Sequence, residues 1–183
     1  MEFTDIIDVE GSFTTNPQRY EDHRGFFQEH YNCSKYRGRV KVCQQISYSL
    51  SNKNVLRGIH TAPYGKLVQC VRGKIIDYVI DMRPSSPTYK KWKAVELEES
   101  IPRQLYIPPF CGHAFFSTED NSLLVYCQEG CFDSQKEMNI NPFDPELAIE
   151  WPECEEYIIS DQDRNAPSEK QGRIEWEKRN MGL

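Results

Sequence analysis

An all-β fold, a sandwich or a barrel, is what this sequence predicts, and three observations predict it. Roughly ten short runs rich in Val, Ile, Tyr and Phe are separated by turn residues. No helical pattern of about 10–15 residues alternates with them, which excludes a doubly wound parallel sheet. At 183 residues the chain is long enough for one domain with its own core and needs no staples.

The runs follow in order. Phe3 to Val9 reads as a strand before the turn at Gly11. Asp22-His23-Arg24-Gly25 is a turn, and FFQEHY after it is strand-like. VKVCQQISYSLS alternates as a strand should. VLRGIH is the next strand, closed by the Pro- and Gly-containing loop TAPYG at 61–65. LVQC, a tight turn at Arg72-Gly73-Lys74 and IIDYVIDM read as a hairpin. WKAVELE, QLYIPPF, GHAFFST and SLLVYCQEG supply four more strands. ELAIEW, after a helix-start signal at Asp144-Pro145, reads as a short helical turn or a strand. Residues from about 168 to 183 read as a polar C-terminal tail with a weak helical period, so a single domain over 1–183 is expected.

Composition narrows the function. The net charge is -6 and no basic run occurs, which argues against nucleic-acid binding through phosphate charge. No stretch approaches 18 apolar residues, so no membrane span is expected. The acidic start MEFTDIIDVEG lacks the positive and apolar regions of a signal peptide. Seven cysteines contain no CxxC pair, and Cys70 and Cys127 lie in apolar strand-like runs. Reduced buried thiols, and hence a cytoplasmic protein, are expected.

The chemistry concentrates between Asn54 and Asp81, where Arg57, His60 and Lys66 fall within ten residues. Arg57 is an anion binder. His60 titrates near neutrality and can act as a general base. Lys66 can steady a developing oxyanion. Tyr126 can act as an acid through its phenol. A strand His or Tyr taken singly is more often a packed residue than a catalyst. Strict alternation would put Arg57 and His60 on opposite faces, unless a bulge at Gly58 re-aims them. Arg24 beside its Gly turn fits either a ligand phosphate or the plain surface. Only four histidines are present, and His60 is followed by Thr61 and Ala62, so the HxH of a barrel metal site is missing. No metal is expected.

NVLRGIH, GKLVQCVRGKIIDYVIDMRPSSPTY, QLYIPPFCGHAFF, LLVY, FDPELAIEW and ISDQDRNAP occur in one order between about Arg24 and Pro167. Together they resemble the dTDP-4-dehydrorhamnose 3,5-epimerase family, in which RGxH followed by GKLV and the IPPxxxHxF segment are specific in combination. The resemblance implies a cupin-type double-stranded β-helix, a jelly roll with short peripheral helices. It implies His60 as base, Asp163 as the carboxylate behind it, Lys66 near the sugar ketone and Tyr126 as acid. Arg24, Arg57 and His113 would contact diphosphate and sugar, Phe27 and Glu29 the nucleobase. It implies no cofactor, no metal, and a homodimer in which exchanged strands help complete each site. The substrate implied is a dTDP- or GDP-linked 4-keto-6-deoxy sugar, hexose or heptose, inverted at C3, C5 or both. The departures are the short 61–65 loop, Cys131 and Phe132 in place of paired tyrosines, and Gln45, Ser47 and Ser49 where the family carries QxNxS.

Overall fold

A computed structural model describes residues 1–36 and 38–181. In chain order the strands are β1 (Phe3–Asp5), β2 (Phe13–Thr15), β3 (Arg19–Asp22), β4 (Gly25–Gln28), β5 (Gln45–Ser51), β6 (Leu56–Thr61) and β7 (Lys66–Arg72). They continue as β8 (Lys74–Asp81), β9 (Trp92–Glu98), β10 (Gln104–Ile107), β11 (Cys111–Ser117), β12 (Ser122–Gln128) and β13 (Met138–Asn139). Two helices, α1 (Asp161–Arg164) and α2 (Glu169–Met181), come last.

A six-stranded sheet runs β1-β2-β10-β7-β12-β5 and a five-stranded sheet runs β13-β6-β11-β8-β9, while β3 and β4 form a separate hairpin. Every pairing between these strands is antiparallel. From β5 to β8, and again from β10 to β12, the chain changes sheet at every step. That alternation between two antiparallel sheets is the jelly roll of the cupin fold.

Three apolar clusters hold the layers. Val68, Cys70, Ile75, Val79, Leu105, Phe115 and Leu124 fill the space between the sheets. Ile59, Tyr78, Ile80, Met82, Ala114 and Met138 pack behind the five-stranded sheet, under Trp92, Trp151 and Trp176. Phe13, Tyr36, Leu67, Tyr106 and Cys127 pack outside the six-stranded sheet. The central strands β7, β8 and β11 are therefore covered on both faces, and their sequences read as apolar runs with little alternation. Each large side chain buried this way contributes about 1.5–3 kcal/mol of transfer free energy.

Several expected elements differ. Arg72-Gly73-Lys74 does not close a hairpin: β7 pairs with β10 and β12, and β8 pairs with β11 and β9. The turn instead carries the chain from one sheet to the other, because apolar runs fix strands but not their partners. Gly73, at φ +71°, makes that turn where a Cβ would stand 2.6 Å from Ser122 Oγ. The first strand ends at Asp5, and the strand expected from Val40 begins at Gln45. ELAIEW forms neither helix nor strand. The stretch read as a polar tail forms α2 over Glu169–Met181, while Gly182 and Leu183 lie outside the described residues. Buried Glu169 anchors α2 by accepting from Tyr89 Oη at 2.8 Å and from Arg173 Nε at 2.8 Å. Among the described residues no helix is long and apolar enough to cross a membrane.

Candidate active site

A cavity of about 300 Å³ opens between the two sheets. The six-stranded sheet gives it Gln45, Ser47 and Ser49 from β5, Lys66 from β7, and Tyr126 and Gln128 from β12. Arg57 and His60 from β6 and His113 from β11 face them from the other sheet.

A bulge explains why Arg57 and His60 share this cavity. His60 pairs with His113 and Arg57 with Phe115, so Gly58 and Ile59 together oppose Ala114. One extra residue reverses the alternation and turns both side chains inward. Gly58, at φ +111°, permits the close approach: a Cβ there would lie 2.6 Å from Ala114 Cβ and 2.6 Å from His113 O.

Each ionisable group has a defined partner. His60 Nε2 lies 2.7 Å from Asp163 Oδ1, which α1 delivers from 103 residues away. Burial alone would raise the Asp163 carboxyl, but hydrogen bonds from His60, the Gly58 N–H and Ser160 outweigh it and hold the group below its ordinary value. The carboxylate thereby fixes the ring and leaves Nδ1 for the cavity. Lys66 is 8 % exposed, and burial pulls its ammonium below the usual lysine range against the fields of Glu137 and Asp77. Glu137 Oε1 stands 4.0 Å from Lys66 Nζ and accepts from Tyr64 Oη at 3.1 Å. The Tyr126 hydroxyl is 2.9 Å from Ser49 Oγ, and burial raises its phenol strongly, so Tyr126 holds its proton at neutral pH. Arg57 donates through Nε to Ser51 Oγ at 3.1 Å and through Nη2 to the Leu50 carbonyl at 3.2 Å. Gln45 lines the cavity, but its amide already donates to Ser47 Oγ and accepts the Phe132 N–H, each at 2.9 Å.

Of the expected site residues, His60, Lys66, Tyr126, Arg57, His113 and Gln45 line one cavity, with Asp163 directly behind His60. Arg24, Phe27 and Glu29 are not brought there. Arg24 is paired with Asp22 at the tip of the β3–β4 hairpin, Phe27 is 66 % exposed, and Glu29 pairs with Lys35. Two ionisable residues escaped the sequence reading. Asp77, wholly buried, holds His113, and its signal was a carboxylate in the middle of the apolar run IIDYVI. Glu137 sits in the polar stretch SQKEMN, which carries no signal. Among the described residues no three His, Cys, Asp or Glu side chains gather as a metal-ligand set.

The arrangement can move protons on a carbon acid. It offers an imidazole backed by a carboxylate, a phenol on the facing sheet and an ammonium beside them.

Comparison with known proteins identifies the family. The family described as dTDP-4-dehydrorhamnose 3,5-epimerase matches residues 7–171. A dTDP-4-dehydrorhamnose 3,5-epimerase of Streptomyces griseus is 35 % identical over 182 residues, covering 96 % of this chain and 88 % of its own. A dTDP-4-dehydro-6-deoxyglucose 3-epimerase of Streptomyces bikiniensis is 34 % identical over 169 residues, covering 88 % and 86 %. Among solved structures, the Legionella pneumophila dTDP-6-deoxy-D-glucose-3,5-epimerase in complex with dTDP-4-keto-L-rhamnose superposes with a TM-score of 0.88 at 30 % identity, covering 92 % of this chain and 93 % of that one. The chain belongs to the dTDP-4-dehydrorhamnose 3,5-epimerase family of isomerases.

Proposed function

We propose that this protein inverts C3, C5 or both in a dTDP-linked 4-keto-6-deoxy sugar, by acid–base catalysis without metal or cofactor. The 4-ketone acidifies the neighbouring C–H bonds. His60 takes a hydrogen from one face and leaves an enolate. The Lys66 ammonium receives the charge in a site where little water competes. Tyr126 returns a proton to the opposite face, and the carbon is inverted. Arg57 and His113 hold diphosphate and sugar. The observation that carries this reading is the placement of His60 and Tyr126 on facing sheets of one cavity, since inversion needs base and acid on opposite sides of the ring.

The names of the relatives favour a dTDP-linked hexose. The short 61–65 loop and the Cys131-Phe132 pair favour testing GDP-linked heptoses beside it. The decisive experiment offers both nucleotide sugars in deuterated water and follows label at C3 and C5. Incorporation by the wild type and its loss in His60→Ala is the expected result. A wild type that exchanges neither position of any 4-keto nucleotide sugar would overturn the reading.

The working unit is a homodimer, with residues 1–183 as one domain. Phe26 and Phe27 on the β3–β4 hairpin, and Ile46, Tyr48 and Leu50 on the edge strand β5, are exposed apolar side chains that a second copy would cover. Arg24, Phe27 and Glu29 then reach the nucleotide bound to the neighbouring subunit. The seven free cysteines favour a reducing compartment, the cytoplasm.

A further inference from the structure

Two histidines, not one, line the cavity with a carboxylate behind each. His60 and His113 are register partners on adjacent strands. His60 Nε2 lies 2.7 Å from Asp163 Oδ1, and His113 Nε2 lies 3.0 Å from Asp77 Oδ2. Among the described residues, Nδ1 of neither ring has a hydrogen-bond partner.

The two carboxylates differ in what else they touch. Asp163 Oδ2 also accepts the Gly58 N–H at 3.2 Å, and Ser160 adds a further bond. An anion with several donors stays ionised. It therefore accepts a hydrogen bond from the Nε2–H of a neutral His60 and leaves a lone pair on Nδ1. Asp77 is wholly buried, and its Oδ1, though 2.9 Å from His113 Nε2, makes no hydrogen bond. A buried carboxylate with one donor is costly as a bare charge. The stable forms of this pair are the two that carry no net charge. One is an imidazolium facing a carboxylate; the other is a neutral ring whose Nε2 accepts from a carboxylic acid. Both put a proton on Nδ1.

We propose that the two dyads are set in opposite senses: Asp163 leaves His60 Nδ1 unprotonated toward the cavity, whereas Asp77 is a positioning residue that makes His113 Nδ1 a donor there. The groups facing His113 are Asp77 from β8, Lys66 from β7, His60 from β6 and Tyr126 from β12, whose ring stands edge-on at 5.8 Å, with Glu137 and Arg57 in the same lining. His113 and Lys66 then present two N–H donors to the oxygen that gains charge, and of the two Nδ1 atoms toward the cavity only that of His60 lacks a proton. The catalytic part rests on the epimerase reading; the protonation pattern does not.

The full chain labelled with ¹⁵N-histidine gives four imidazoles to observe, assigned by the signals lost in His60→Gln and His113→Gln. Near neutral pH, His60 Nδ1 is expected unprotonated and His113 Nδ1 protonated; any other pattern overturns the proposal. The same substitution then separates the dyads. An Asn amide donates to Nε2 and forces the proton onto Nδ1. Asp163→Asn is expected to lower kcat on the order of 10⁴-fold, as a wrong tautomer does in a serine-protease triad. Asp77→Asn keeps kcat within about tenfold, and Asp77→Leu, which cannot donate, lowers it by about a hundredfold with KM near wild type. Equal losses in Asp77→Asn and Asp163→Asn would refute the idea. If either variant fails to fold, the wild-type spectrum alone decides. A wild type without deuterium exchange would sink the epimerase reading and leave the spectral result standing.

Discussion

The hydroxyls of Tyr126 and Ser49 are 2.9 Å apart, on the sheet that faces His60. Ser49 fixes the direction in which the phenol points. Tyr126→Phe removes the returning acid but leaves the base. The variant is expected to lose net inversion by about 10²–10⁴-fold while still washing solvent deuterium into the carbon it deprotonates. Ser49→Ala loosens the phenol without removing it and should cost no more than about tenfold, roughly the worth of one neutral hydrogen bond. Following label and stereochemistry in the same sample checks both. Equal loss of exchange and inversion in Tyr126→Phe would remove the tyrosine from its role as acid.

Lys66 is a buried ammonium, and its removal should separate activity from stability. Lys66→Met is expected to lower kcat by about 10²–10³-fold, the usual loss for an oxyanion donor. The sign of the pH effect follows from burial, which depresses the folded-state pKa. The unfolded chain then binds the proton more tightly. Stability therefore rises with pH from the folded value up to the unfolded value, about 10.4. Buried Cys70, Cys111 and Cys127, whose thiols are pushed up to about 12, pull the other way in both proteins, so the rise should appear as the change with pH in the difference between wild-type and Lys66→Met melts across the alkaline range.

Asp163 acts at the other end of the scale. Its folded carboxyl lies below the ordinary value because the bonds from His60, Gly58 and Ser160 outweigh burial. It contributes stability above the unfolded carboxylate pKa of about 3.9, and that contribution is lost as pH falls through the folded value. Asp163→Ala should therefore differ most from the wild type near neutral pH, and the two melting curves should converge in acid. A constant gap down to the lowest pH would show that the carboxylate is not ionised in the folded chain.

Gly58 is where the legibility of the site ran out. The motif RGIH placed Arg57 and His60 on one strand, but alternation set them on opposite faces, and only the bulge opposite Ala114 reconciles them. Composition, turns and apolar runs were enough for an all-β chain of short strands. They could not name partners, because strands buried on both faces carry no alternation to reveal which sheet they join. His60, Lys66 and Tyr126 sit in strand motifs and were readable as chemistry. Asp163 arrives from 103 residues away, so no spacing rule reaches it, and only the family resemblance pointed there. Gly58→Ala tests the bulge directly. Its Cβ would meet backbone at 2.6 Å at a φ that side chains rarely adopt, so a loss of about 2–4 kcal/mol is expected, with kcat falling further than stability alone explains. Chemical denaturation and kinetics on the folded fraction separate the two effects.

The hairpin β3–β4 offers the last test, because it stands away from the cavity of its own chain. Phe27 is 66 % exposed and, among the described residues, Arg24 bonds only to Asp22, so neither lines the cavity of its own chain. If each hairpin serves the neighbouring subunit, the two kinds of defect lie in different chains and can be complemented. His60→Ala alone is inactive, and Phe27→Ser with Arg24→Ala alone has a raised KM for the nucleotide sugar. Refolded together in equal amounts, about half of the dimers are hybrids, and every hybrid carries one cavity with His60 intact and a wild-type hairpin over it. Mixing should therefore restore a fraction of low-KM activity that neither parent shows, and sedimentation should report the dimer. Activity that is only the average of the two parents, or a monomer in sedimentation, would confine each site to a single chain.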